Sequence, residues 1–116
     1  MPQFSANLSM LFPERPFLQR FAAAAQAGFS AVEFMFPYAF AIADLRDAIA
    51  HSKVRVVLHN LPPGDWDAGD RGIACHPNRT EEFRDSVAQA IAYASALQVP
   101  RLNCLAGCTP ADTDPV

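Results

Sequence analysis

The chain has 116 residues, 51% hydrophobic and only 18% charged, which suits one domain with one packed core and excludes a disordered chain. Its net charge of −3, from 9 basic and 12 acidic residues, provides no basic stripe, so no nucleic acid is expected as a partner. No apolar run approaches the roughly 20 residues of a membrane span, and the opening Met-Pro-Gln-Phe-Ser lacks the pattern of a signal peptide, so no membrane is expected either.

In chain order, residues 3–8 read as a short strand ending at Asn7-Leu8-Ser9. Pro13-Glu14-Arg15-Pro16 predicts a helix start, because proline suits the first turn, where its missing N–H has no intrahelical partner. Leu18, Phe21, Ala22 and Ala25 then fall at i, i+3, i+4 and i+7 as one apolar face, and Gly28 closes that helix. Residues 31–36 (AVEFMF) form a second strand stopped by Pro37, followed by a helix over about residues 41–52 with Ile42, Leu45 and Ile49 inward. Residues 54–59 (VRVVLH) make a third strand. A long loop follows with three of the five glycines and the single tryptophan, Trp66, which reads as a lid or packing residue. Asn78-Arg79-Thr80-Glu81 predicts a capped helix start, and Phe83, Val87, Ala90, Ile91, Ala94 and Leu97 continue its apolar stripe. Residues 101–105 form a fourth strand, and residues 111–116 a polar tail.

The order βαβαβαβ is α/β, and strands separated by helices pair in parallel through right-handed crossovers. The first βα turn lacks the G-x-G-x-x-G of a dinucleotide fold, which leaves part of a (β/α)8 barrel as the alternative to a doubly wound sheet. A whole barrel needs about 250 residues, so residues 1–110 read as strands 1–4 and helices 1–3 of one.

In such a barrel the C-terminal strand ends converge on one mouth. Asn7, Glu33, His59 and Asn103 each sit near such an end, on four different strands. Alternation along the third strand places Val57 and His59 on one face, with Val56 and Leu58 on the other. Glu33 is either a site carboxylate or the partner of Arg55 or Arg101, since a lone carboxylate in an apolar strand is costly. His59 is either a substrate contact or a satisfied core histidine. Asn7 and Asn103 either bind ligand or tie loop backbone. Arg71, whose planar fork fits a carboxylate, could hold an anionic group or lie at the surface beside Asp70. His59, His76 and Cys75 have no metal-site spacing, so no metal held by this chain alone is expected. Cys75, Cys104 and Cys108 form neither a C-x-x-C pair nor an even framework, which fits a reduced cytoplasmic protein.

The segments FSANLSMLF (4–12), AAQAGFSAVEFMFPY (24–38), LHNLPPGDWDAGDRGIAC (58–75) and LNCLAGCTP (102–110) resemble the N-terminal half of the hydroxypyruvate isomerase family, among the xylose-isomerase-like TIM barrels. The 2-oxo-tetronate isomerases share the NLSM and VEF-x-FPY stretches. The resemblance implies isomerisation of hydroxypyruvate to tartronate semialdehyde through an enediolate. The substrate is then a small hydroxy or keto acid, with a divalent metal in the full-length family member and no nicotinamide. The family's two catalytic glutamates and its metal ligands come from the fifth strand onward, beyond Val116. The substrate-binding candidates are those read from the strand ends and the loop (Asn7, Glu33, His59, Arg71, Asn103), and the resemblance implies no catalytic residue and no turnover by this chain alone. A fragment of a 2-oxo-tetronate isomerase or related sugar isomerase or epimerase is one alternative, and a non-catalytic half-barrel binding or assembly module is the alternative of another class. The outer two strands would be unpaired edges, so self-association is expected.

Overall fold

The computed structural model describes residues 1–113; the last three residues of the expected tail lie outside the described residues. Four strands, β1 (Ser5–Asn7), β2 (Ala31–Phe34), β3 (Arg55–Asn60) and β4 (Leu102–Asn103), lie side by side in chain order, every pairing parallel. Helices α1 (Arg20–Gln26), α2 (Ile42–Ser52) and α3 (Thr80–Leu97) make the three crossovers. Strand order never reverses, so there is no switch point of the doubly wound kind. The sheet is an arc of a barrel wall.

All three helices pack on one face of this arc. Ala6, Val32, Phe34 and Val56 from the strands meet Phe21, Ala24, Leu45, Ala94 and Leu97 from the helices in a single core. Phe17 is partly buried and packs against this core, edge-on to Phe21 at 5.6 Å and to Phe34 at 5.5 Å, and stacked on Phe40 at 5.0 Å. Phe21, Phe34 and Leu45 are fully buried, each contributing about 2–3 kcal/mol of transfer free energy. Among the described residues the opposite face of the sheet carries no helix.

The starts of α1 and α3 differ from the sequence reading, while α2 matches it. The first helix does not begin at Pro13–Pro16: a single 3-10 turn spans Phe17–Gln19 before α1 starts at Arg20. The second proline keeps Arg15, the residue before it, out of the helical region. A 3-10 turn advances about 120° per residue instead of about 100°, so the apolar face shifts phase. Ala24 is buried and Ala22 exposed as a result. Gly28 closes α1 as expected, at φ +96°: its N–H bonds the Ala25 carbonyl and the Phe29 N–H bonds that of Ala24. The expected Asn78 cap does not form. Pro77–Arg79 is another 3-10 turn, Glu81 pairs forward with Arg84 at 2.6 Å, and no side chain caps α3. Ile91, read as part of the inner stripe, is 52% exposed, and Ser86 is buried in the face instead.

Candidate functional site

The helix-free face of the sheet gathers polar side chains near the C-terminal strand ends. Asn7 and Glu33 are register partners on β1 and β2. Asn7 Nδ2 donates to Glu33 Oε1 and Ser5 Oγ donates to Glu33 Oε2, both at 3.3 Å. Glu33 therefore has its partners on the neighbouring strand, not in Arg55 or Arg101. Asn7 Oδ1 accepts the Ser9 N–H at 3.0 Å, and Ser9 Oγ accepts the Met35 N–H at 2.8 Å. This chain of bonds fixes the first βα turn against the end of β2. Both Asn7 and Glu33 remain half-buried, so the carboxylate is held but reachable.

The end of β3 departs from simple alternation. Val32 pairs with Val56, but Glu33 pairs with Leu58, so Val57 is an extra residue that shifts the register. A bulge of this kind reverses which face the following side chains take. His59 consequently joins Val56 on the helix side and not Val57, as alternation had implied. It pairs with Phe34, stacks on that ring at 6.0 Å and 7°, and is fully buried. Burial pushes its pKa below the ordinary 6.5, only partly offset by the bond to the Asn60 carbonyl, so the ring is neutral at pH 7.

Asn60 takes the inner-face position that the sequence reading gave to His59. It pairs with Asn103 on β4, and Asn103 Nδ2 donates to Asn60 Oδ1 at 3.0 Å. The inner face thus holds two polar pairs, Asn7–Glu33 and Asn60–Asn103, one residue from each strand. Sequence reasoning missed Asn60. The available signal was that adjacent polar residues at 59 and 60 must send one side chain to each face.

The loop over residues 61–79 rims this face. The Arg71 guanidinium lies 3.9 Å from the centre of the Trp66 ring, and its Nη1 donates to the carbonyls of Trp66 (2.9 Å) and Asp70 (2.7 Å). Trp66 in turn rests on Phe36, at 5.3 Å. Arg71 is exposed and bonds loop backbone; it does not pair with the Asp70 carboxylate. Asp70 instead bonds Arg79 Nη2 at 2.8 Å and the Asp65 N–H at 2.7 Å. The Arg79 bond first, then the Asp65 bond, holds the Asp70 carboxyl down at about 2. Gly72, at φ +99°, passes so close to the Leu105 carbonyl that any Cβ would collide with it. The Cys75 N–H donates to the Ala106 carbonyl at 2.8 Å, which ties this loop to the segment after β4.

Among the described residues no group of three His, Cys, Asp or Glu side chains could hold a metal ion, and no helix is long and apolar enough to cross a membrane. Cys75, Cys104 and Cys108 are free thiols.

Known proteins share this architecture and sequence. A profile of the family described as xylose isomerase-like TIM barrel matches residues 21–115. The hydroxypyruvate isomerase of Escherichia coli K12 is 61% identical over 111 residues, covering 96% of this chain and 43% of that protein. The 2-oxo-tetronate isomerase of Cupriavidus necator is 48% identical over 114 residues, covering 98% of this chain and 44% of its own length. A solved structure described as an AP endonuclease of family 2 from Brucella melitensis superposes with a TM-score of 0.93 at 48% identity, over 96% of this chain and 43% of that one. The chain spans less than half the length of these relatives.

Proposed function

The chain belongs to the xylose isomerase-like TIM barrel family, and from that premise we propose that it forms one side of the substrate pocket of a hydroxypyruvate isomerase. The observation that carries this reading is the inner face, where four strands deliver Asn7, Glu33, Asn60 and Asn103 to the C-terminal rim as two hydrogen-bonded pairs. In this family of barrels that rim is where small molecules meet the protein.

Isomerisation of hydroxypyruvate removes a proton from the hydroxymethyl carbon beside the carbonyl, passes through an enediolate, and returns a proton to the former carbonyl carbon. Charge builds on two neighbouring oxygens, so fixed donors and acceptors set before the reaction favour it. Glu33, pinned by Ser5 and Asn7, can accept a hydrogen bond from a substrate hydroxyl. The Asn60–Asn103 carboxamides can supply a donor and an acceptor to adjacent oxygens. Arg71 stands at the rim with its fork already oriented by Trp66, suited to the substrate carboxylate. Among the described residues no side-chain cluster fits a divalent metal. The greater identity to hydroxypyruvate isomerase, 61% against 48%, favours that substrate over 2-oxo-tetronate. The charge of −3 argues against DNA as substrate, and three free thiols favour a reducing, cytoplasmic setting.

The test is a graft in which this chain replaces the matching segment of the E. coli hydroxypyruvate isomerase. The graft is expected to turn over hydroxypyruvate with a higher kcat/KM than 2-oxo-tetronate, whereas the 116-residue chain by itself turns over neither. A graft that folds but is inactive, or that prefers 2-oxo-tetronate, overturns the assignment.

The open edges of β1 and β4, together with a helix-free face on which Val57 and Leu58 are half-buried, also favour self-association of the chain. Size-exclusion chromatography with light scattering, at tens of micromolar, is expected to give a mass of at least two chains. A monodisperse monomer contradicts it.

A further inference from the structure

We propose that His59 and Tyr38 are positioning residues that act from the helix side of the sheet: they clamp the main-chain carbonyl of Asn60 and so hold its side chain against Asn103 on the inner face. Both contacts converge on one oxygen. Tyr38 Oη donates to the Asn60 carbonyl, and His59 Nδ1 lies 3.1 Å from the same atom. Tyr38 Oη is also 3.3 Å from His59 Nδ1.

The bond from Tyr38 Oη to the Asn60 carbonyl, closer than its 3.3 Å contact with His59 Nδ1, selects one arrangement of protons. A carbonyl oxygen only accepts, and a tyrosine has a single hydroxyl proton, here given to that carbonyl. The His59 contact is favourable only if Nδ1 carries the imidazole proton. Nε2 is then a bare lone pair, and it is the one buried side-chain nitrogen or oxygen without a partner among the described residues. An unmet buried acceptor carries a desolvation penalty, so the favourable contact of this ring lies at Nδ1.

The surroundings hold the clamp rigid. His59 stacks on Phe34, and Tyr38 packs edge-on against Tyr93 at 5.1 Å. Tyr93 Oη donates to the Phe40 carbonyl at 2.7 Å. The Asn60 N–H donates to the Met35 carbonyl at 2.9 Å. Both ends of residue 60's backbone are therefore fixed, and only its side-chain torsions remain. Those are set by the bond from Asn103, which leaves Asn60 Nδ2 and Asn103 Oδ1 to meet a ligand. The bulge at Val57 is what makes this possible, since it puts His59 and Asn60 on the faces they occupy.

The positioning role rests on the inner face being the substrate side; the clamp does not. Its test is nitrogen-15 NMR of the purified chain labelled at histidine and asparagine, with His59 assigned by its loss in His59→Phe. The expected spectrum has His59 Nδ1 protonated and Nε2 unprotonated at pH 7; the opposite tautomer overturns the proposal. In Tyr38→Phe the separate side-chain NH2 signals of Asn60 and Asn103 should merge with those of exposed carboxamides. His59→Asn, which keeps a donor at the Nδ1 position, should retain them, and His59→Gln should not. Unchanged Asn60 and Asn103 signals in a folded Tyr38→Phe chain also overturn it. If the clamp stands while the graft is inactive, only the functional reading fails.

Discussion

Asp70 shows how one ionisation organises the rim loop. Its carboxylate ties the Asp65 N–H to Arg79, bridging the loop to the start of α3. Those bonds favour the charged form, so its pKa falls from 3.8 to about 2 on folding. The stabilisation is complete above 3.8 and is lost as pH drops through about 2. His59 has a different window: its pKa is depressed by burial, so acid begins to cost stability as pH falls below 6.5. Trp66, the only tryptophan, reports on the loop through its contact with Arg71. Its emission is expected to change between pH 4 and 2 in the native chain, and Asp70→Asn should remove that step. A step of the same size and midpoint in Asp70→Asn shows that Asp70 does not hold the loop.

At the scale of elements, the strands and crossovers were legible because their signals are local and repeated. Val54, Val56 and Leu58 cluster as β-branched and apolar residues do in a buried parallel strand, and Gly28 marks a helix end that needs a left-handed residue. The start of α1 was not legible, because Pro13–Pro16 satisfies first-turn chemistry while Pro16 also constrains Arg15, whereas α2 begins within a residue of where it is expected. The left-handed caps of α2 and α3 carry no glycine to mark them: Lys53 and Gln98 adopt positive φ, at 58° and 56°. The faces at the end of β3 depend on where one extra residue is accommodated against β2, a property of the pair and not of either strand's sequence. That single shift exchanged His59 for Asn60 in the candidate site. Asn7, Glu33 and Asn103, which precede or avoid the bulge, lie on the face that alternation and strand ends imply. The loop's internal bonds, with Arg71 on Trp66 and Asp70 on Arg79, were likewise hidden, since the sequence places Asp70 and Arg71 side by side.

At the scale of the whole molecule, the architecture separates support from chemistry. Helices and core occupy one side of the sheet, and every residue assigned to ligand contact lies on the other side or in the loop that rims it. His59 and Tyr38 link the two sides through the Asn60 peptide. An arc of four parallel strands offers half the wall of an eight-stranded barrel, and its inner surface carries the polar pairs that a closed pocket would bring to a small acid. The most direct measurement is kcat/KM for hydroxypyruvate in the graft with Glu33→Gln, against the unsubstituted graft and an Arg55→Gln control at the opposite end of the strands. Removing a hydrogen bond made to a charged group costs about 1.5–3 kcal/mol, so Glu33→Gln is expected to lower kcat/KM by roughly 10- to 150-fold while Arg55→Gln leaves it unchanged. Equal kcat/KM in all three would contradict a role for the inner face in binding or turnover.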